Sequence, residues 1–167
     1  DGCECEWLSD TDEPYGGDAD CDGVDGEIGN GIFVSKAGND TAPGTYQAPV
    51  FSIGKGLELA KKSGTRDIYV ATGVYVESIS LVAGVAVYGG YSADFVSHEP
   101  DIYETAIMGA SPTTALPGAI NAINVTGNKG SARVDGFTIF GADGEAWGES
   151  SYAVYIRDSG NAVEVSN

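Results

Sequence analysis

A segment that recurs at a fixed distance along the chain constrains this sequence more than any other feature. Ala122-Ile123-Asn124-Val125 is echoed by Ala153-Val154-Tyr155-Ile156, and Ala132-Arg133-Val134 by Val163-Glu164-Val165. Both pairs lie 31 residues apart, so they align without a gap. In each copy apolar residues alternate with polar or small ones, the period of a strand with one face buried. Short strands returning at a constant interval, with Gly and Asn between them, predict a solenoid whose rungs stack in parallel. The first copy runs on into a third strand, Phe137-Thr138-Ile139-Phe140, whereas Asn167 aligns with Gly136, where that strand would begin. The last rung is therefore expected to be completed by something else, a longer chain or another copy.

Composition agrees with many short strands. The 167 residues are enough for one domain with a real core, and 25 of them are Gly, about twice ordinary usage. No apolar run approaches the ~18 residues of a membrane helix. Charge is spread unevenly. Residues 1–30 hold 11 acids and no Lys or Arg, while residues 31–167 hold 14 acids and 8 bases. An acidic block beside a nearly balanced body predicts a separate leader, 1–30, ahead of the strand-rich domain, 31–167. No basic patch is present to neutralise phosphates, so nucleic acid is not an expected partner.

All three cysteines, Cys3, Cys5 and Cys21, fall in the acidic block. Cys3 and Cys5 are too close to pair readily, so a bridge from one of them to Cys21 is expected, with one thiol left over. Cysteines gathered outside the core predict an oxidising, extracellular setting.

Along the body, Gly31-Ile32-Phe33-Val34-Ser35 reads as a first strand and 37–49 as a loop. Ser52 offers a helix N-cap, Ile53, Leu57 and Ala60 recur at helical spacing, and Lys61-Lys62-Ser63-Gly64 closes the helix. Such a helix would cover the open end of the first rung. Strands then follow at 68–70, 74–76, 79–81, 85–88 and 105–108, with 109–119 as a loop. The segment 91–104 is an excursion that carries His98, and 141–151 a long loop that carries Trp147.

Three stretches resemble the opening coils of right-handed parallel β-helix proteins of the pectin-lyase-like group. They are the run from Ile68 to Tyr91, the later Thr105-Ala106-Ile107-Met108-Gly109-Ala110, and Val134-Asp135-Gly136-Phe137-Thr138-Ile139-Phe140. In that group a G-x-Y-x-E turn, here Gly73-Val74-Tyr75-Val76-Glu77, opens the first coil after a capping helix. The loop Gly38-Asn39-Asp40-Thr41-Ala42-Pro43-Gly44-Thr45 resembles one found in extracellular bacterial members. The resemblance covers residues 31–167 and implies an all-β, right-handed parallel β-helix with a short N-terminal capping helix. It says little of activity, because the group includes lyases, hydrolases, esterases and adhesins.

Two constellations invite a chemical reading. Asp18, Asp20, Asp22, Gly23 and Asp25 form D-x-D-x-D-G-x-D. Alternating carboxylates that end at a Gly turn suit the oxygen ligands of Ca²⁺, with Val24 offering a backbone carbonyl. An EF-hand would need a bidentate Glu where Gly29 stands; Glu27, two residues short, completes the candidate set. The block is more similar to the calcium loops of thrombospondin type 3 repeats. Trp147, Tyr152 and Tyr155 form a candidate aromatic platform for a sugar.

Catalysis finds no matching set. The Asp pair, Gln and Arg of pectinesterases and the polygalacturonase signatures are missing. Arg133, aligned with Glu164, and Arg157, aligned with Thr126, read as solvated residues of an outer strand face. His98, beside Glu99 and Pro100, reads as a surface residue. Asn39 and Asn124 begin glycosylation sequons, with Asn124 placed on a ladder strand. The leading expectation is thus a secreted or cell-surface structural β-helix for assembly, adhesion or display, self-associating head to tail through its open rung. The alternatives are the N-terminal part of a polysaccharide lyase or esterase, and a glycan-binding module.

Overall fold

A computed structural model describes residues 24, 28–64, 67–111, 116–125, 130–143, 150–160 and 162–166. Among them are one helix and eleven strands: β1 Gly31–Val34, α1 Ile53–Ser63, β2 Asp67–Ala71, β3 Gly73–Val76, β4 Ile79–Ser80, β5 Ala86–Tyr91, β6 Thr105–Met108, β7 Gly118–Ile123, β8 Ala132–Asp135, β9 Thr138–Phe140, β10 Tyr152–Arg157 and β11 Val163–Val165. The fold is all-β and parallel. Its strands form three sheets ordered β1-β2-β5-β8-β11, β3-β6-β9 and β10-β7-β4. From β5 onward each strand pairs with the one three places earlier in chain order.

Registry sorts the side chains into columns. Ile32, Ile68, Val87, Val134 and Val165 share one column of the five-stranded sheet. Tyr75, Ile107 and Ile139 share one of the β3-β6-β9 sheet, and Ile79, Ile120 and Val154 one of the third. These columns converge in one apolar cluster that draws on all three sheets and on Ile53, Leu57 and Ala60 of α1. Each such buried aliphatic side chain contributes roughly 1.5–3 kcal/mol of transfer free energy. Toward β10 and β11 the columns meet solvent. Ile156 and Val165, in register with buried Ala122 and Val134, are 50% and 41% exposed.

The helix forms where its local signals place it. Ser52 caps it, its side chain accepting from Lys55 N at 3.2 Å, and Gly64 ends it in the left-handed conformation at φ 80°. Its apolar residues pack on β1, β2 and β4, covering one end of the core.

The repeat differs from the sequence alignment. The β8–β11 pair keeps the offset of 31, with Arg133 opposite Glu164. In β7–β10, however, Ala122 pairs with Ile156 and Ile123 with Arg157, an offset of 34. The corner after the strand keeps that offset: Asn124 and Asp158 both adopt φ 55°, and Val125 N donates to Ser159 Oγ at 3.1 Å. The second copy is therefore three residues shorter between this corner and the next strand. It follows that Arg157 does not align with Thr126, that the strand expected at 122–125 begins at Gly118, and that Asn124 occupies a corner rather than a strand. No helix of the described residues is long and apolar enough to cross a membrane.

Candidate binding surfaces and the groups that hold them

Two sequence motifs converge on the start of α1. A helix leaves its first N–H groups without intrahelical partners. Here Glu77, the last residue of G-x-Y-x-E, accepts from Ile53 N at 2.9 Å and from Gly54 N at 2.8 Å, one bond to each carboxylate oxygen. Asp40, from the Gly38–Thr45 loop, accepts from Phe51 N and Ser52 N, both at 2.9 Å, and from the Ser52 hydroxyl at 2.9 Å. Burial works against the Asp40 charge, but the Ser52 and Phe51 hydrogen bonds and nearby Lys55 outweigh it and hold the carboxyl below its ordinary range. Two carboxylates at the positive end of the helix also suit its dipole.

The rest of G-x-Y-x-E has a structural reason too. Tyr75 is fully buried, its hydroxyl donating to Ala71 O at 2.9 Å, and burial together with the Glu77 charge pushes its pKa up. Lys36 lies over the Phe51 ring at 3.9 Å and the Tyr75 ring at 4.9 Å. A Cβ on Gly73, whose φ is +148°, would come within 2.8 Å of the Lys36 side chain. The motif thus joins the helix, the first loop and the core.

The outer face of the five-stranded sheet carries a second apolar cluster. Phe33, Tyr69 and Tyr88 are neighbours in register across β1, β2 and β5. Tyr91, Phe95, Ala71 and Val24 complete it, with Ile28 and Tyr46 at its margin. Val24, at 0% exposed, places one residue of the aspartate-rich block against the sheet. The aromatic ladder ends on charge. Asp135 is in register with Tyr88, is buried, and accepts a hydrogen bond from Arg133, whose guanidinium lies 5.6 Å from the Tyr88 ring centroid. Burial disfavours the Arg133 charge, and the bond to Asp135 more than offsets it. Arg133 does face outward, yet it is an anchored residue rather than a solvated one. Arg157 is the more exposed arginine, 3.5 Å from Asp158.

His98 corrects the sequence reading. It is 5% exposed, its Nε2 lies 2.7 Å from Gly89 O, and its ring stacks on Tyr91 with centroids 4.5 Å apart. Burial lowers its pKa, opposed by the Gly89 bond and by Asp135. Nothing local in Ser97-His98-Glu99 announces this; the partners lie on the other side of the excursion.

The outer face of β3-β6-β9 is bare among the described residues. Val76, Met108 and Phe140 stand in register at 68%, 43% and 50% exposure, with exposed Val74 beside Val76. Sequence reading missed this stripe, although the unbroken apolar run of Ile107-Met108 and the apolar strand ends Val76 and Phe140 were signals for it. Of the candidate sugar platform, Tyr152 and Tyr155 come together, their ring centroids 5.3 Å apart and Tyr152 exposed; Trp147 lies outside the described residues. So do Asp18, Asp20, Asp22, Asp25, Glu27, Cys3, Cys5 and Cys21, which leaves Val24 alone of the calcium set in view. Among the described residues no three His, Cys, Asp or Glu side chains group as metal ligands would.

With this geometry in hand, comparison with protein families gives one match. Residues 36–167 fit the family described as a protein of unknown function, DUF1565. The chain belongs to that family. No curated protein and no solved structure matches it. The DUF1565 span takes in Asp40, α1, Glu77, His98 and the Val76–Met108–Phe140 face, and it begins after the aspartate-rich and cysteine-bearing block and after β1 with Phe33.

Proposed function

We propose that this protein is a right-handed parallel β-helix that serves outside the cell as a structural scaffold for assembly, adhesion or display. The rotation of the chain among three parallel sheets supports the solenoid, as does the grouping of its family with pectin-lyase-like β-helices. The observation that carries the scaffold reading is the Val76–Met108–Phe140 stripe. Rows of large apolar side chains left in water on a soluble body mark contact surfaces. The occupant we assign is a second copy of this chain. The protein carries a formal charge of −17, and copies repel one another. Val74, Val76, Met108 and Phe140 are uncharged and exposed, so contact along this stripe joins apolar surface without pairing like charges. End-on growth is the second mode, through the exposed Ile156 and Val165 that continue the interior columns.

Light scattering of the full chain over a concentration series tests this. Association should rise with concentration and with salt, and Met108→Lys combined with Phe140→Lys should abolish it. Ile156→Lys abolishing it instead would assign the contact to the end of the columns. A monomer at every concentration would remove the assembly reading. A glycan-binding role is favoured by one observation, the Tyr152–Tyr155 pair, and retention on a polysaccharide column that Tyr152→Ala abolishes would establish it.

Calcium and the disulfide belong to the same extracellular reading. Asp18, Asp20, Asp22 and Asp25, with Val24 and Glu27, would take Ca²⁺, and Cys21 would bridge to Cys3 or Cys5. Protease mapping of the block in calcium and in chelator tests the first, and non-reducing peptide mapping the second. Equal cleavage and three free thiols are the contrary outcomes.

A further inference from the structure

We propose that residues 92–98 form an acid-sensitive latch over the aromatic face of the five-stranded sheet, with Phe95 as its plug and His98 as its catch. The segment leaves β5 at Tyr91 and returns to it: Ser92 N donates to Ser97 O at 2.9 Å, and Tyr91 and His98 form an antiparallel bridge. At its tip Ser92 Oγ donates to Asp94 at 2.7 Å and Phe95 N to Ser92 O at 3.0 Å. This tight turn forces Phe95 to φ 64°, a left-handed conformation that a bulky residue rarely adopts.

The strain is held by what the ring does. Phe95 is 3% exposed and packs edge-on against Phe33 at 5.0 Å, with Tyr46 and Tyr91 at 6.2 and 6.3 Å. Backbone strain of this kind and the burial of one aromatic ring are of the same order. The tip is therefore nearly balanced between closed and open, and its other attachments decide.

His98 is the attachment that titrates. Gly89 O can only accept, so Nε2 carries the proton and the ring is neutral when Nδ1 is not protonated too. The five-stranded sheet faces it with Asp135, already bonded to Arg133; its own excursion contributes Asp94, Glu99 and Asp101 nearby in sequence. A charged imidazolium here would be buried against Tyr91, with Asp135 shared with Arg133. Burial holds the His98 pKa below its ordinary value, and the Gly89 bond and Asp135 only reduce that shift. In the open form His98 titrates near ~6.5, so the closed form binds fewer protons. The catch is at full strength above ~6.5 and weakens as pH falls through the folded value.

Hydrogen exchange of the full chain, corrected for intrinsic rates, reads the latch directly. Opening of 92–98 should increase roughly tenfold for each pH unit below ~6.5 until the folded value is reached, while β2 and β7 stay protected. His98→Gln keeps a donor for Gly89 O and removes the titration, so its 92–98 segment should show no such acid dependence. Equal protection at pH 7.5 and 5.5, the same acid response in His98→Gln, or parallel loss in β2 and β7 would each overturn the latch. Should His98→Gln fail to fold, the imidazole titration followed by NMR in the unaltered protein decides: a value at or above ~6.5 overturns the proposal, and a lower one sustains it.

Discussion

The five-stranded sheet and the β3-β6-β9 sheet each line up large apolar side chains on their outer faces, and the protein treats the two ladders in opposite ways. Phe33, Tyr69 and Tyr88 are covered by Tyr46, Phe95 and Val24, and the ladder closes on buried Asp135, bonded to the half-buried Arg133. Val76, Met108 and Phe140 have no such cover among the described residues. Among the described residues the difference lies in the connections. The long excursion after β5 folds back over its own sheet, whereas β3 passes to β4 through only Glu77 and Ser78, and Glu77 is engaged with α1. Parallel stacking fixes which residues share a column; the turns decide which columns become a second core.

The largest test of this contrast is truncation. Phe33→Ala removes a fully buried ring that contacts Tyr46, Tyr69 and Phe95, and should cost about 3–5 kcal/mol. Phe140→Ala removes an equal volume from the bare ladder and should cost under ~1 kcal/mol. Denaturant midpoints of the two variants measure both, and equal losses would break the distinction.

Next in size is the cap. Glu77→Ala strips two charged hydrogen bonds from the first turn of α1 and should destabilise by about 1–3 kcal/mol. Exchange should quicken first at Ile53 and Gly54. Unchanged protection of those two amides would show that the G-x-Y-x-E glutamate is not what seats the helix.

What could be read from the chain divides along the same line of local against distant causes. The helix, its Ser52 cap and its Gly64 stop are written within a dozen residues, and the structure has them all. Strand positions were legible from alternation and glycines. The offset of 34 in β7–β10 was not, because identity of type between Ala122 and Ala153 is a weaker constraint than the corner that Asn124 and Asp158 share. Glu77 could be picked out as part of a motif but not given its partner, which lies 24 residues earlier. The aromatic cluster was hidden for a related reason: Ile68-Tyr69-Val70-Ala71 is apolar at every position, so alternation cannot say which side faces the core. Burial of His98 depends on Gly89 and Tyr91 across a turn, a distance over which composition carries no signal.

A smaller effect separates the two carboxylates at α1. Asp40 is exposed and its pKa is held below the ordinary carboxylate value, so its contribution is present above ~3.8 and lost as pH falls through the lower folded value. Solvent screening keeps that contribution under about 1 kcal/mol. Asp40→Asn should therefore match the unaltered protein at the acid end of a stability profile and fall slightly below it near neutrality. A gap that persists at the acid end, once Asp40 is protonated in both states, would mean that geometry, rather than charge, is what Asp40 supplies.

The smallest expected change is also the sharpest test of the bare ladder. Val76→Thr keeps the branched shape that a strand favours and replaces one methyl group by a hydroxyl. At 68% exposure that hydroxyl reaches water without displacing any packed neighbour, so stability of the dilute protein should stay within about 0.5 kcal/mol. Where copies meet along the stripe, the same hydroxyl must be stripped of water, and self-association should weaken. The two readouts are then expected to part: thermal midpoint unchanged in dilute solution, scattering reduced in concentrated solution. A loss of more than ~1 kcal/mol in the dilute monomer would mean that Val76 is covered within its own chain. In that case the two outer faces would differ in how they are covered, and not in whether they are.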